Sequence, residues 1–190
     1  PPDFSLFSGH GLFSGGAARI NEAFAQAIFD IRIFIDYIED HHGADQVGVT
    51  GLSLGGYTSS LLAAIEDRLS FALPVVPVAS LPDLILEWAP ISIGMRSVLK
   101  LSGASLQDVR RLTAIHSPLS HVPKLPRERL MIIGGVGDRL APPKHSRLLW
   151  EHWGRCRLHW FPGSHILHLD KGDFTIEIER FFRDIEFLKG

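Results

Sequence analysis

The chain has 190 residues, enough for one domain and short of two. Apolar residues make up 45% and charged ones 21%, the balance of a globular protein with a core, which excludes intrinsic disorder. Nineteen basic side chains against twenty-one acidic ones leave a formal charge of −2, no electrostatic footprint for nucleic acid, and the single Cys156 excludes an internal disulfide framework and any multi-cysteine zinc site.

The chain opens on Pro1-Pro2 with nothing that resembles a signal peptide. The native start is therefore expected to be missing and localisation is not legible, with the lone cysteine slightly favouring the cytoplasm. Residues 1–16 read as a Gly-, Ser- and Phe-rich loop. From Ala17 to His41 the spacing predicts a helix, with Ile20, Phe24, Ala27, Ile28, Ile31, Ile35 and Ile38 on one stripe and Gly43 as its stop. Gln46–Thr50 reads as a strand, followed by the glycine-rich Gly51–Gly56 and a helix to about Asp67. Phe71–Val78 reads as a buried strand; the apolar run Phe71–Ser80 is interrupted by Pro74 and Pro77 and falls short of the roughly 18–20 residues that span a bilayer.

Residues 81–122 break the rhythm with helical stretches at Leu84–Trp88, Ile91–Leu101 and Leu106–Ile115, too long for a simple crossover and read as an insertion. Leu130–Gly134 restores the strand pattern, Pro143–Trp153 is helical with Pro in its first turn, Arg157–Phe161 is a fourth strand and Lys171–Leu188 a closing amphipathic helix. Helices alternating with strands in this way predict an α/β domain over 1–190 built on a mostly parallel sheet.

One segment carries chemistry. Val47-Gly48-Val49-Thr50-Gly51-Leu52-Ser53-Leu54-Gly55-Gly56 sets Gly-x-Ser-x-Gly between a strand and a helix, a turn sharp enough to expose the Ser53 hydroxyl above the sheet. Bulky residues at Gly51 and Gly55 would collide there. The helix that follows aims its backbone N–H groups at the same spot, so negative charge developing on a substrate oxygen would meet the N–H of Leu54. A nucleophilic serine needs a base, and the base an orienting carboxylate. Asp138 follows the strand Leu130–Gly134, in Gly135-Val136-Gly137-Asp138-Arg139-Leu140-Ala141-Pro142-Pro143. His165 follows the strand that ends at Phe161, in Pro162-Gly163-Ser164-His165.

In these three segments the chain resembles the α/β-hydrolase-fold serine hydrolases, from the helix before the first strand to the last helix. The resemblance implies Ser53 as nucleophile, His165 as general base and acid, Asp138 as orienting carboxylate, Leu54 N–H as an oxyanion donor and residues 81–122 as a lid-like insertion. It implies an esterase- or lipase-like hydrolysis of small-molecule carboxylic esters through an acyl-enzyme, with no cofactor or metal. Thioesters, amides and peptides suit the same machinery. A full fold has earlier strands that residues 1–16 cannot encode, so Gln46–Thr50 would lie on an open sheet edge. A missing N-terminal segment or a partner chain is expected to cover that edge, and a second oxyanion donor would come with it. Without that donor, a non-catalytic binding module on the same scaffold is the competing reading.

Other residues offer rivals. His168 lies three positions after His165, and Asp83 follows the strand Phe71–Val78 but also suits a helix start. His10 in Gly9-His10-Gly11 echoes the His-Gly of this family's oxyanion loop but has no strand before it. His165-x-x-His168-x-Asp170 could mark a metal-dependent hydrolase, yet it lacks the Glu of His-Glu-x-x-His and any cysteine partner. His41-His42 suits a helix C-terminus and Cys156 an inert core thiol. Trp88, Ile91, Ile93 and Met95 are either ordinary core or the lining of an acyl pocket.

Overall fold

Short apolar runs alternating with amphipathic ones build a four-stranded parallel sheet. The computed structural model describes residues 16–88, 91–166 and 172–188. In chain order these hold α1 (Gly16–His42), β1 (Val47–Leu52), α2 (Leu54–Ile65), β2 (Leu69–Val75), α3 (Leu81–Glu87), α4 (Ile91–Ser102), α5 (Leu106–Leu112), β3 (Met131–Gly135), α6 (Pro143–His152), β4 (Arg157–Phe161) and α7 (Asp173–Asp184). The sheet order is β1-β2-β3-β4 with every pairing parallel, the α/β architecture expected from the sequence.

Boundaries moved where pairing overrode local pattern. β1 runs two residues beyond Thr50 because its register with β2 continues to Leu52↔Val75. β2 stops at Val75, since Val76 adopts φ 39° and gives its N–H to the Ile133 carbonyl at 2.7 Å. Helix α3 begins at Leu81, with Pro82 in its first turn, three residues before the expected start.

Side chains that alternate along the strands divide the core between two faces. Ala72 and Ile132 face Ile28 and Ile35 of α1, Leu61 and Leu62 of α2, and Leu149 of α6. Phe71, Leu73, Met131 and Ile133 face the other way, onto Phe181 and Ile185 near α7. A sheet covered on both sides explains why β2 and β3 are nearly continuous apolar runs. Of the stripe expected on α1, Phe24, Ile28 and Ile35 are buried, and the helix stops at Gly43 (φ 59°), whose N–H reaches the Glu39 carbonyl at 3.2 Å. Among the described residues β1 pairs only with β2, so its other edge is open. Phe29, Ile33 and Tyr37, at i, i+4 and i+8 on α1, stand about half exposed (59%, 50% and 48%).

Glu66, just past α2, is buried yet charged. Its carboxylate takes the guanidinium of Arg68 at 2.9 Å and that of Arg32 on α1 at 2.9 Å, tying α1 to the α2–β2 turn. The Arg68 hydrogen bonds hold its pKa down at about 2 against the opposing effect of burial. A carboxylate with a depressed folded pKa stabilises the fold above its unfolded pKa, and that contribution is lost as pH falls from about 4.5 towards 2. Glu66→Gln is expected to cost on the order of 2 kcal/mol at neutral pH, after allowance for screening at the partly exposed arginines, and to flatten acid unfolding in that window. Urea unfolding as a function of pH measures both; an unchanged acid limb contradicts the assignment.

Candidate active site

Parallel strands bring their carboxyl ends to one edge of the sheet, and three loops at that edge carry Ser53, Asp138 and His165. Ser53 fills the single position between β1 and α2, at φ 56°, ψ −110°. Positive φ is costly for a residue with a Cβ and persists only where surrounding bonds enforce it. Here the Ser53 N–H donates to the Val75 carbonyl at 3.0 Å, and its carbonyl accepts from Tyr57 at 3.0 Å and from Val78 at 3.4 Å. Gly51 is required by the same turn, because a Cβ there would stand 2.3 Å from the Gly55 carbonyl oxygen. The collision is one-sided, since a Cβ on Gly55 itself would meet open space. Leu54 opens α2, where the first-turn N–H groups have no intrahelical acceptor and the positive end of the helix dipole lies beside the Ser53 hydroxyl.

Asp138, 4% exposed, is held from two sides. Its Oδ1 accepts the N–H groups of Leu140 at 2.8 Å and Ala141 at 2.9 Å, which caps its own loop. Its Oδ2 lies 2.6 Å from Nδ1 of His165, itself only 9% exposed. A carboxylate accepts only, so Nδ1 carries the proton and Nε2 is left as the basic nitrogen. The two loops are laced by backbone: Val136 N–H donates to the Phe161 carbonyl at 3.0 Å, and Gly137 N–H to the Gly163 carbonyl at 2.8 Å. Only glycine fits at 137, as a Cβ would stand 2.7 Å from that Gly163 oxygen.

The structure thus brings Asp138 and His165 into contact and sets Ser53 on the same edge. Among the described residues no hydrogen bond joins the Ser53 hydroxyl to His165. Asp83 is committed elsewhere: on α3 it accepts from Ser80 and from the Arg110 guanidinium (2.5 and 3.1 Å). Burial would raise its pKa, but those hydrogen bonds outweigh it and leave the carboxyl below its ordinary value. Cys156 lies just before β4, buried, with its thiol pushed up to about 12 by desolvation, as befits an inert thiol. His10, His168 and Asp170 lie outside the described residues, and the metal reading of His165, His168 and Asp170 lies there with them. Among the described residues no group of three or more His, Cys, Asp or Glu side chains could hold a metal ion, and no helix is long and apolar enough to cross a membrane.

Four supporting residues have contacts that left no local signal in the sequence. The Trp88 indole N–H, at the end of α3, donates to the Leu140 carbonyl at 2.8 Å and ties the 81–122 segment to the Asp138 loop. Tyr57, one turn into α2, meets His116 Nδ1 at 2.6 Å, and His116 stacks on Phe24 of α1 with centroids 4.5 Å apart. His145, fully buried on α6, accepts the Ala79 N–H at 3.2 Å. Burial raises the Tyr57 pKa and lowers those of His116 and His145, so both rings are neutral in the fold. Unfolded histidine takes up a proton near 6.5, so the unfolded chain binds more protons just below that pH. Stability is therefore full above about pH 6.5 and falls as pH drops below it. His116→Gln, which keeps an acceptor for Tyr57, is expected to flatten the loss of unfolding free energy between about pH 7.5 and 5; an identical slope contradicts this.

Comparison with known proteins adds to this geometry. No family model matches the sequence. An uncharacterised protein of Mycobacterium tuberculosis is 37% identical over 145 residues, which take in 74% of this chain and 33% of that protein. Acylamino-acid-releasing enzyme 2 of Oryza sativa is 28% identical over 163 residues, 79% of this chain and 21% of that enzyme. The chain thus spans a third or less of the length of these relatives. Among solved structures, the uncomplexed acylaminoacyl peptidase of Pyrococcus horikoshii superposes with a TM-score of 0.58 at 16% identity, covering 83% of this chain and 27% of that one. The parallel sheet, its flanking helices and this superposition agree: the chain carries the α/β-hydrolase fold.

Proposed function

We propose that the chain carries the catalytic machinery of a serine hydrolase that cleaves small-molecule carboxylic esters. The observation that supports it most is the 2.6 Å bond between Asp138 and His165, on the sheet edge where Ser53 is held at positive φ. In this reading the hydrogen bond between Ser53 and His165 forms when substrate is bound, since catalytic contacts commonly tighten in the complex. Nε2 of His165 takes the Ser53 proton as Oγ forms a bond to the ester carbonyl carbon. The oxyanion is met by the Leu54 N–H, and Asp138 stabilises the imidazolium. The imidazolium then protonates the departing alcohol as the C–O bond breaks. Water, deprotonated by His165 as it attacks the acyl carbon, displaces Ser53 Oγ, which takes the proton back from the imidazolium as the acid is released. No cofactor or metal enters these steps.

The second oxyanion donor belongs, in this reading, to polypeptide that covers the open edge of β1, from the same chain or a partner. The half-exposed Phe29, Ile33 and Tyr37 favour such a cover. Residues 81–122 then form a lid-like insertion within one hydrolase domain. A second reading, amide hydrolysis, is favoured by relatives named as an acylamino-acid-releasing enzyme and a peptidase. The test is a substrate panel on the intact protein: p-nitrophenyl esters, thioesters, and N-acetylamino acid p-nitroanilides. Esters are expected to give the highest kcat/KM. Faster anilides would replace the ester reading with the amide one, and inertness to all three would leave a binding module.

A further inference from the structure

We propose that a cavity of about 390 Å³ between α1, α3, α4 and α5 receives an uncharged hydrocarbon group of the substrate, an aliphatic chain of medium length, on the acyl side of the scissile bond. The inference rests on the serine-hydrolase reading and adds the substrate class.

Its walls decide the chemistry. Ile20 of α1, Pro82 and Ile85 of α3, Trp88, and Ile91 and Met95 of α4 supply most of the lining, and no charged side chain contributes. Two lining side chains carry a polar N or O atom, and both atoms are committed. The Thr113 hydroxyl donates to the Val109 and Arg110 carbonyls at 3.1 and 3.3 Å. The Trp88 N–H donates to the Leu140 carbonyl. A charged substituent would be desolvated there with no opposite charge to meet it, whereas methylene groups each gain roughly 0.8 kcal/mol from leaving water.

Its position decides the role. Leu54, the residue after Ser53, packs in one apolar cluster with Ile20, Leu81 and Trp88 of the cavity wall and with Ala141 of the Asp138 loop. Trp88 holds the Leu140 carbonyl, and the Leu140 N–H holds Asp138. Residues of the cavity wall therefore pack in the same cluster as a residue of the Ser53 turn and one of the Asp138 loop. A larger cleft, lined by Arg127, Arg155, Arg157 and Asp184 among others, shares none of the residues that line this cavity.

Two readouts on the intact protein test this. Decanoate, titrated calorimetrically, is expected to bind at one site, and Ile85→Trp, which fills the cavity, to weaken it at least tenfold. The ratio of kcat/KM for octanoate over acetate esters is expected to fall at least tenfold in the same variant. Met95→Trp repeats the measurement from the opposite wall should Ile85→Trp fail to fold. Absence of decanoate binding, or a binding constant and an ester ratio that both variants leave within twofold, overturns the cavity assignment whatever Ser53 does. Decanoate binding that the variants abolish, in a protein that turns over no ester, instead overturns the serine-hydrolase reading on which the acyl role depends.

Discussion

Ser53→Ala is expected to lower kcat for ester hydrolysis by about 10⁴–10⁶-fold while leaving thermal unfolding nearly unchanged. The three bonds that hold Ser53, to Val75, Tyr57 and Val78, use its backbone alone, so alanine keeps them at the same positive φ. Only the hydroxyl is lost, and with it the oxygen that, in the proposed mechanism, would bond the acyl carbon. Residues that act as one unit lose activity non-additively. His165→Ala should therefore cost about as much as Ser53→Ala, and the double variant no more than either. Initial rates with a p-nitrophenyl ester measure this, with circular dichroism as the check on folding. Ester turnover by Ser53→Ala at the wild-type rate contradicts the assignment.

Asp138→Asn is expected to cost about 10³–10⁴-fold in kcat, with little change in KM. The side chain is held in one orientation, because its Oδ1 accepts from Leu140 and Ala141. Asparagine can keep those two bonds only by placing its carbonyl oxygen there. Its NH2 then faces Nδ1 of His165, where the carboxylate stood 2.6 Å away. Two donors cannot share that contact, so the ring must shed the Nδ1 proton and carry it on Nε2. A protonated Nε2 cannot take the proton of Ser53. Steady-state kinetics checks the loss, and nitrogen chemical shifts of the His165 ring check the tautomer. Unimpaired kcat, or an Nδ1–H tautomer retained in Asp138→Asn, contradicts the argument.

Local chemistry was legible in the sequence where one stretch of chain imposed it. Gly51, Ser53 and Leu54 define a strand–turn–helix because the backbone cannot turn so sharply with a Cβ at 51. Arg157–Phe161 forms the expected strand to the residue. Asp138 and His165 could be placed at strand ends from the alternation of elements, although their contact spans 27 residues and follows from the Val136–Phe161 and Gly137–Gly163 bonds between the loops. What could not be read were pairings with no periodic trace. Trp88 and Leu140 are 52 residues apart, and Tyr57 and His116 are 59 apart. Strand ends slipped for the same reason. Val76 is a strand-former by type, but a backbone bond to Ile133 on β3 turns the chain away. The stripe on α1 announced its buried face, but Phe29, Ile33 and Tyr37 lie off that stripe, apolar yet half exposed.

The proposed mechanism requires the His165–Asp138 pair to activate the hydroxyl of Ser53. A fluorophosphonate reagent, followed by intact mass and peptide mapping of the intact protein, tests that activation without any choice of substrate. One adduct on Ser53 is predicted, formed at least a thousandfold more slowly in His165→Gln, in line with the about 10³–10⁴-fold or greater effect of losing a triad member. An adduct on a different serine, or labelling of Ser53 at the same rate without His165, would contradict it.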